Sequence, residues 1–186
     1  MTAQAPDVVL FGGRRFWVTA VDGVGLFDPA EHGLEPGPMH TGCYRGYICE
    51  YAVVERRLVL RGLRLGSAAE PPPLGGVRPR RDDEWHYRGT DVPTAFTGRL
   101  LIGSGTAADL PYLNMGFAPA WTYRKVHELT LRAGALLTAA DCSAELAAVR
   151  AAIADTAARP APGEPTREWI SRTFSLTYDY SWPGRS

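Results

Sequence analysis

Four features of this 186-residue chain have side chains able to do chemistry, and their spacing limits what each can support. Cys142 stands at the entry of the one segment with a helical pattern, where the partial positive charge of a helix N-terminus lowers a thiol pKa and favours a nucleophilic thiolate. No histidine is near it in sequence, so a buried structural thiol is the competing reading. Glu50 falls in the middle of a strand between Ile48 and Ala52. If that face is covered, the carboxylate needs a partner, and Arg45 or Arg61 can supply one across a hairpin; a structural ion pair, a solvated face and a pocket carboxylate all stay open. His127 and Glu128 offer an acid–base pair, but neighbours on a strand face opposite ways and cannot share a site without a bulge. The glycine-rich GlySerGlyThrAlaAla beginning at Gly103 lacks a following helix and the phosphate-loop patterns, so it reads as a turn between strands.

Other mechanisms fail on spacing. Cys43 and Cys49 make no CxxC, and His32, His40, His86 and His127 are scattered with no HExxH, so neither a metal nor a cofactor is expected. No GxSxG elbow is present for a serine nucleophile, and no catalytic motif replaces it. Recognition chemistry fits better. Tyr112, Trp121 and Tyr123 lie in an irregular stretch beside Asn114 and Arg124, and tyrosine and tryptophan give large contact area at low entropic cost. With Arg45, Tyr47 and Glu50 of the central hairpin, Tyr112, Asn114, Trp121 and Tyr123 form the expected binding set.

These residues must be positioned by β structure. In TyrArgGlyTyrIleCysGluTyrAlaValVal, residues Tyr47, Cys49, Tyr51 and Val53 share one face at period two, Glu55 to Arg57 make a solvated turn, and Leu58 and Leu60 start the return strand. A first pair, Val8–Phe11 and Arg15–Val21, turns at Gly12-Gly13. Residues 22–42 read as a surface loop. From Gly66 to Thr94 there is no periodicity, only consecutive prolines, Gly75-Gly76 and the run ArgProArgArgAspAspGluTrp: a connector or a binding loop. Phe96, Leu100 and Ile102 mark another half-buried strand, and Val126–Leu131 with Ala135–Ala139 a further hairpin across Ala133-Gly134. Ser143 is the expected N-cap of a helix to about Ala158 with an apolar stripe of Leu146, Val149 and Ile153. Alternation of Phe174, Leu176, Tyr178, Tyr180 and Trp182 predicts a final strand.

The expected fold is therefore a single α+β domain over 1–186: a mostly antiparallel, strongly curved sheet or partly closed barrel, with one helix in the C-terminal half and a last strand. Twenty basic residues balance 20 acidic ones, which argues against general nucleic-acid binding while leaving a local basic patch open. No apolar run is long enough to span a membrane, no secretory signal is visible, and three cysteines without a framework spacing suit the reducing cytoplasm.

One pattern is shared more widely. TyrArgGlyTyrIleCysGluTyr with ArgLeuValLeu, then PheThrGlyArgLeuLeuIle, TyrLeuAsnMetGlyPhe and a later LeuThrLeu hairpin resemble a group of small uncharacterised bacterial β-rich proteins with an Arg-Gly-Tyr strand and a Met-Gly turn. The resemblance covers about 44–139, implies the same β scaffold and transfers no activity. The expected function is a small cytoplasmic bacterial binding or interaction protein, with an immunity-like role against a protein partner. The alternative is a β-barrel enzyme or binding protein enclosing a hydrophobic small molecule.

Overall fold

The computed structural model describes residues 2–107, 115–157 and 163–185. Nine strands form one sheet: β1 (Val8–Phe11), β2 (Arg14–Val24), β3 (Tyr47–Val54), β4 (Arg57–Leu65), β5 (Arg80–Arg81), β6 (Trp85–Pro93), β7 (Thr97–Thr106), β8 (Tyr123–Arg132) and β9 (Ala135–Asp141). Seven of them run in the order β3-β1-β2-β7-β8-β9-β4, and pairing of β3 with β4 closes the ring into a mixed barrel. β6 and β5 extend the sheet outward from β4.

The local turns follow from residue type. Gly12 and Gly13, with φ of 57° and 72°, reverse the chain between β1 and β2. Glu55 and Arg56 turn the central hairpin in the left-handed region, and the β8–β9 turn passes through Ala133 and Gly134. Gly134 cannot be enlarged, because a Cβ there would run into the carbonyl oxygen of Thr94.

Period-two alternation sends one set of side chains to the barrel axis. Cys49 and Tyr51 from β3, Leu58 and Leu60 from β4, Leu100 and Ile102 from β7, and Leu129 and Leu131 from β8 all join one buried cluster with Phe16 and Phe96. The opposite set on β2, β7 and β8, including Ala20, Leu101 and Val126, packs beneath helix α1 (Ser143–Ala157), whose Leu146, Val149 and Ile153 form the anticipated stripe. Among the described residues no helix is long and apolar enough to cross a membrane.

Three expectations are corrected. The last stretch is not a strand: α2 (Thr166–Thr173) leads through a short link to α3 (Tyr178–Ser181). Tyr178 and Trp182 are four residues apart, the spacing of one helical turn, and both bury against the cluster under α1. Residues 66–94 are not structureless: Trp85–Pro93 is the nine-residue strand β6, with Trp85 and Tyr87 turned into the core. Glycine at 89 and a left-handed Asp91 break its alternation and hid it from a periodicity test. Finally, the N-cap of α1 is shifted. Cys142 offers the first helical carbonyl to Leu146 N–H at 3.1 Å, and Asp141 Oδ1 accepts from Ser143 N–H at 3.0 Å.

Barrel closure requires the parallel pairing of β1 with β3, Val8 opposite Glu50 and Val9 opposite Tyr51. Asp7 sits one residue before that seam and is 6% exposed. Its carboxylate accepts Cys49 N–H at 2.6 Å and a two-pronged pair from the Arg45 guanidinium, while its carbonyl accepts Val18 N–H at 2.8 Å. Asp7→Asn leaves the half-buried Arg45 without its counter-charge and is expected to cost about 2 kcal/mol, read from urea denaturation midpoints. An Asp7→Asn/Arg45→Met double variant should lose less than the two single variants summed.

Candidate interaction face

The helices leave one outer side of the barrel uncovered. α1 packs on β8 and α3 on β2, whereas the outer faces of β3, β4 and β6 carry no helix among the described residues. Register decides what that side displays. Arg64 lies opposite His86, and His86 opposite Arg80; one step along, Glu50 lies opposite Gly62, and Gly62 opposite Arg88. Residues directly opposite in an antiparallel sheet share a face, so these form two cross-strand rows. Because Trp85 and Tyr87 point inward, His86 and Arg88 must point out.

Gly62 is the gap in the second row. A Cβ at this position would lie 3.1 Å from the Tyr87 carbonyl oxygen and 3.6 Å from Glu50 Cβ. Without it, a cleft of about 700 Å³ opens over the sheet between Glu50 and Arg88. Two further clefts adjoin it. One of about 760 Å³ lies between 77–82 and β6, and one of about 830 Å³ is bounded by 37–40, 66–68 and 81–84. His86 borders all three.

The electrostatics are uneven. Arg15 pairs with Glu50 at 2.9 Å, Arg61 with Asp91 at 2.9 Å, and Arg64 with Glu84. Glu84 also lies 3.8 Å from His86 Nε2. The Arg61–Asp91 pair sits at a register shift in which Arg61 and residues 89–91 are extra, held by Thr90 Oγ1 donating to the Leu60 carbonyl at 2.6 Å. Arg78, Arg80 and Arg88 have no carboxylate partner among the described residues, and Arg81 lies over the Trp85 ring at 5.2 Å. This face is therefore a polar platform whose positive charge collects at one end.

No family model, no curated protein and no solved structure matches the chain.

Among the described members of the expected binding set, Glu50 alone opens onto this face. It is half-buried, and its partner is Arg15 of β2, not Arg45 or Arg61. Arg45 belongs to the Asp7 lock; burial works against its charge and the Asp7 carboxylate outweighs this, so its pKa lies above the ordinary value. Tyr47 lies beneath the Arg45 guanidinium at 4.8 Å, and its carbonyl accepts Arg45 Nε–H at 2.8 Å. Burial raises the Tyr47 pKa, with Arg45 opposing. Trp121, 1% exposed, and Tyr123, stacked on Trp17, are core beneath the helices and present no recognition surface. Burial pushes the Tyr123 hydroxyl up to about 12. Tyr112 and Asn114 lie outside the described residues.

Sequence reading missed Arg15, His86 and Arg88 as members of the site. The available signal was the charged run from Arg78, which was noted as a loop feature and not as one edge of a sheet face.

The catalytic candidates take structural places. Burial, with the Glu128 carboxylate nearby, pushes the Cys142 thiol up and overrides the helix terminus expected to lower it. Among the described residues no group of histidine, cysteine and carboxylate side chains could hold a metal. Cys43, Cys49 and Cys142 are all free and buried, so a thiol-disulfide reagent such as DTNB should label fewer than one thiol per native chain and all three in guanidinium.

His127 and Glu128 do face opposite ways. Glu128 accepts from Arg185 at 2.8 Å under the C-terminal segment, and His127 sits edge-on to Phe11 and Phe16 at ring-centroid distances of 5.5 and 5.3 Å. Burial lowers the His127 pKa from 6.5, only partly countered by Asp141. The unfolded chain then takes up a proton more readily at this group, so stability should fall as pH drops below about 6.5 until the lower folded value is passed. His127→Phe should flatten that slope in thermal melts recorded across pH.

Proposed function

We propose that this is a small binding protein that docks a protein partner on the outer face of β3, β4 and β6, in the manner of an immunity protein neutralising its target. The observation that carries this reading is the open platform itself: three adjoining clefts around His86 on a barrel side against which no helix is closely packed among the described residues. The cleft over Gly62 is floored by paired strands β3, β4 and β6, a base that needs little ordering when a partner lands. The ion pairs Arg15–Glu50, Arg61–Asp91 and Arg64–Glu84 hold their side chains in place and supply directional contacts at little cost in side-chain freedom. Three buried free thiols suit a reducing cytoplasm, and a bacterial source remains part of the proposal.

The other reading, a barrel enclosing a hydrophobic small molecule, has less support. Its axis is occupied by Phe16, Tyr51, Phe96, Leu60, Leu100 and Leu129, each 1% exposed or less.

Affinity capture from the native host tests the docking face. Wild-type protein should retain a stoichiometric protein partner, and the surface variant Arg61→Glu/Arg64→Glu should lose it while still melting cooperatively, at a midpoint lowered by the loss of its two ion pairs. Native mass spectrometry showing a tightly held small molecule and no protein would reverse the two readings.

A further inference from the structure

We infer that the partner reaches the arginine end of this face with an acidic polypeptide segment, received in the cleft between residues 77–82 and β6; this rests on the docking role proposed above. The cleft is lined by Arg78, Arg80, Arg81 and Arg88 with His86, against a single carboxylate, Asp82. The chain as a whole has equal numbers of basic and acidic residues, so this charge is a local concentration and not part of a general basic surface. Guanidinium groups without carboxylates of their own are free to take two-pronged pairs from incoming ones.

The receptor is built before the ligand arrives. β5 pairs with β6 so that Arg80 stands opposite His86, and the Trp85 ring holds the Arg81 guanidinium. The preceding segment is tied to the core by buried Leu74, by Tyr87 Oη donating to the Pro72 carbonyl at 2.7 Å, and by Trp85 Nε1 donating to the Ser67 carbonyl at 3.1 Å. Residues 66–84 are thus an anchored presenting loop.

Two observations favour carboxylates on a polypeptide over a nucleic acid. Trp85 and Tyr87 are turned inward, leaving the His86 imidazole as the one outward ring of β6, too little for a run of stacked bases. Asp82, Asp83 and Glu84 follow the arginines at once and border the neighbouring cleft, so a continuous phosphate backbone would leave cations and meet anions within a few residues. A protein segment can end its acidic run there and change sign, and the same alternation rejects partners of the wrong charge pattern.

The test uses the full chain and a fluorescein-labelled glutamate-rich peptide, followed by fluorescence anisotropy at rising ionic strength. Expected is salt-sensitive binding, weakened about tenfold or more in Arg80→Glu/Arg88→Glu and less in Arg80→Lys/Arg88→Lys, which keeps charge and loses the planar fork. Unchanged thermal midpoints show that the variants are folded. No binding, equal binding by the charge-reversed variant, or tighter binding of inorganic phosphate or a single-stranded oligonucleotide than of the peptide would overturn the inference. A captured partner lost by Arg61→Glu/Arg64→Glu yet retained by Arg80→Glu/Arg88→Glu would keep the docking face and remove the acidic-segment claim.

Discussion

The parallel seam between β1 and β3 is the constraint on which the rest of the structure depends. It is the only parallel junction in the described sheet, and its two strands are separated by all of β2 and the loop that follows. Such a contact closes a long stretch of chain, so it needs a stabilising interaction at its start to offset the entropy of closure. Asp7 supplies it by acting on three segments together: the Cys49 amide of β3, the Arg45 guanidinium that precedes β3, and Val18 of β2 through its own carbonyl. With the seam held, β3 and β4 are both members of the ring and both lend an outer face.

From closure follows an asymmetry. A barrel needs its inside filled, which alternating side chains of β3, β4, β7 and β8 accomplish. Its outside needs covering only where the outward side chains are apolar. On β2, β7 and β8 they are Ala20, Leu101 and Val126, and α1 and α3 settle there. On β4 and β6 they are chiefly Arg61, Arg64, His86 and Arg88, polar groups that need no helix over them and reach solvent. The same rule of apolar burial thus places the helices and leaves the docking platform bare.

Much of the scaffold was readable from residue pattern, because strand alternation and turn residues are local properties. The central hairpin, the Gly12-Gly13 turn, the β8–β9 turn and the apolar stripe of α1 all depend on neighbours a few positions away. The exceptions have specific causes. β6 was concealed by Gly89 and the left-handed Asp91, which interrupt period two. The aromatic series from Phe174 to Trp182 satisfies both a strand and a short helical turn, and burial of Tyr178 and Trp182 together in the cluster under α1 goes with the turn. Trp121 and Tyr123 read as surface aromatics because their stretch lacks periodicity, yet Trp121 lies in a 3-10 turn and Tyr123 begins β8, both packed beneath the helices.

By itself, the sequence determined which segments would be extended, where the chain would turn, that most aromatic mass would be core, and that catalytic spacings are missing. All of these rest on side-chain type and short-range periodicity. Tertiary structure alone decided that Glu50 would meet Arg15 across two strands, that Gly62 would open a notch between Glu50 and Arg88, and that Arg80, His86 and Arg64 would stand in one row. Strand order and register bring together residues tens of positions apart, and the energy that selects one register is summed over the whole barrel interior, so no local stretch carries it.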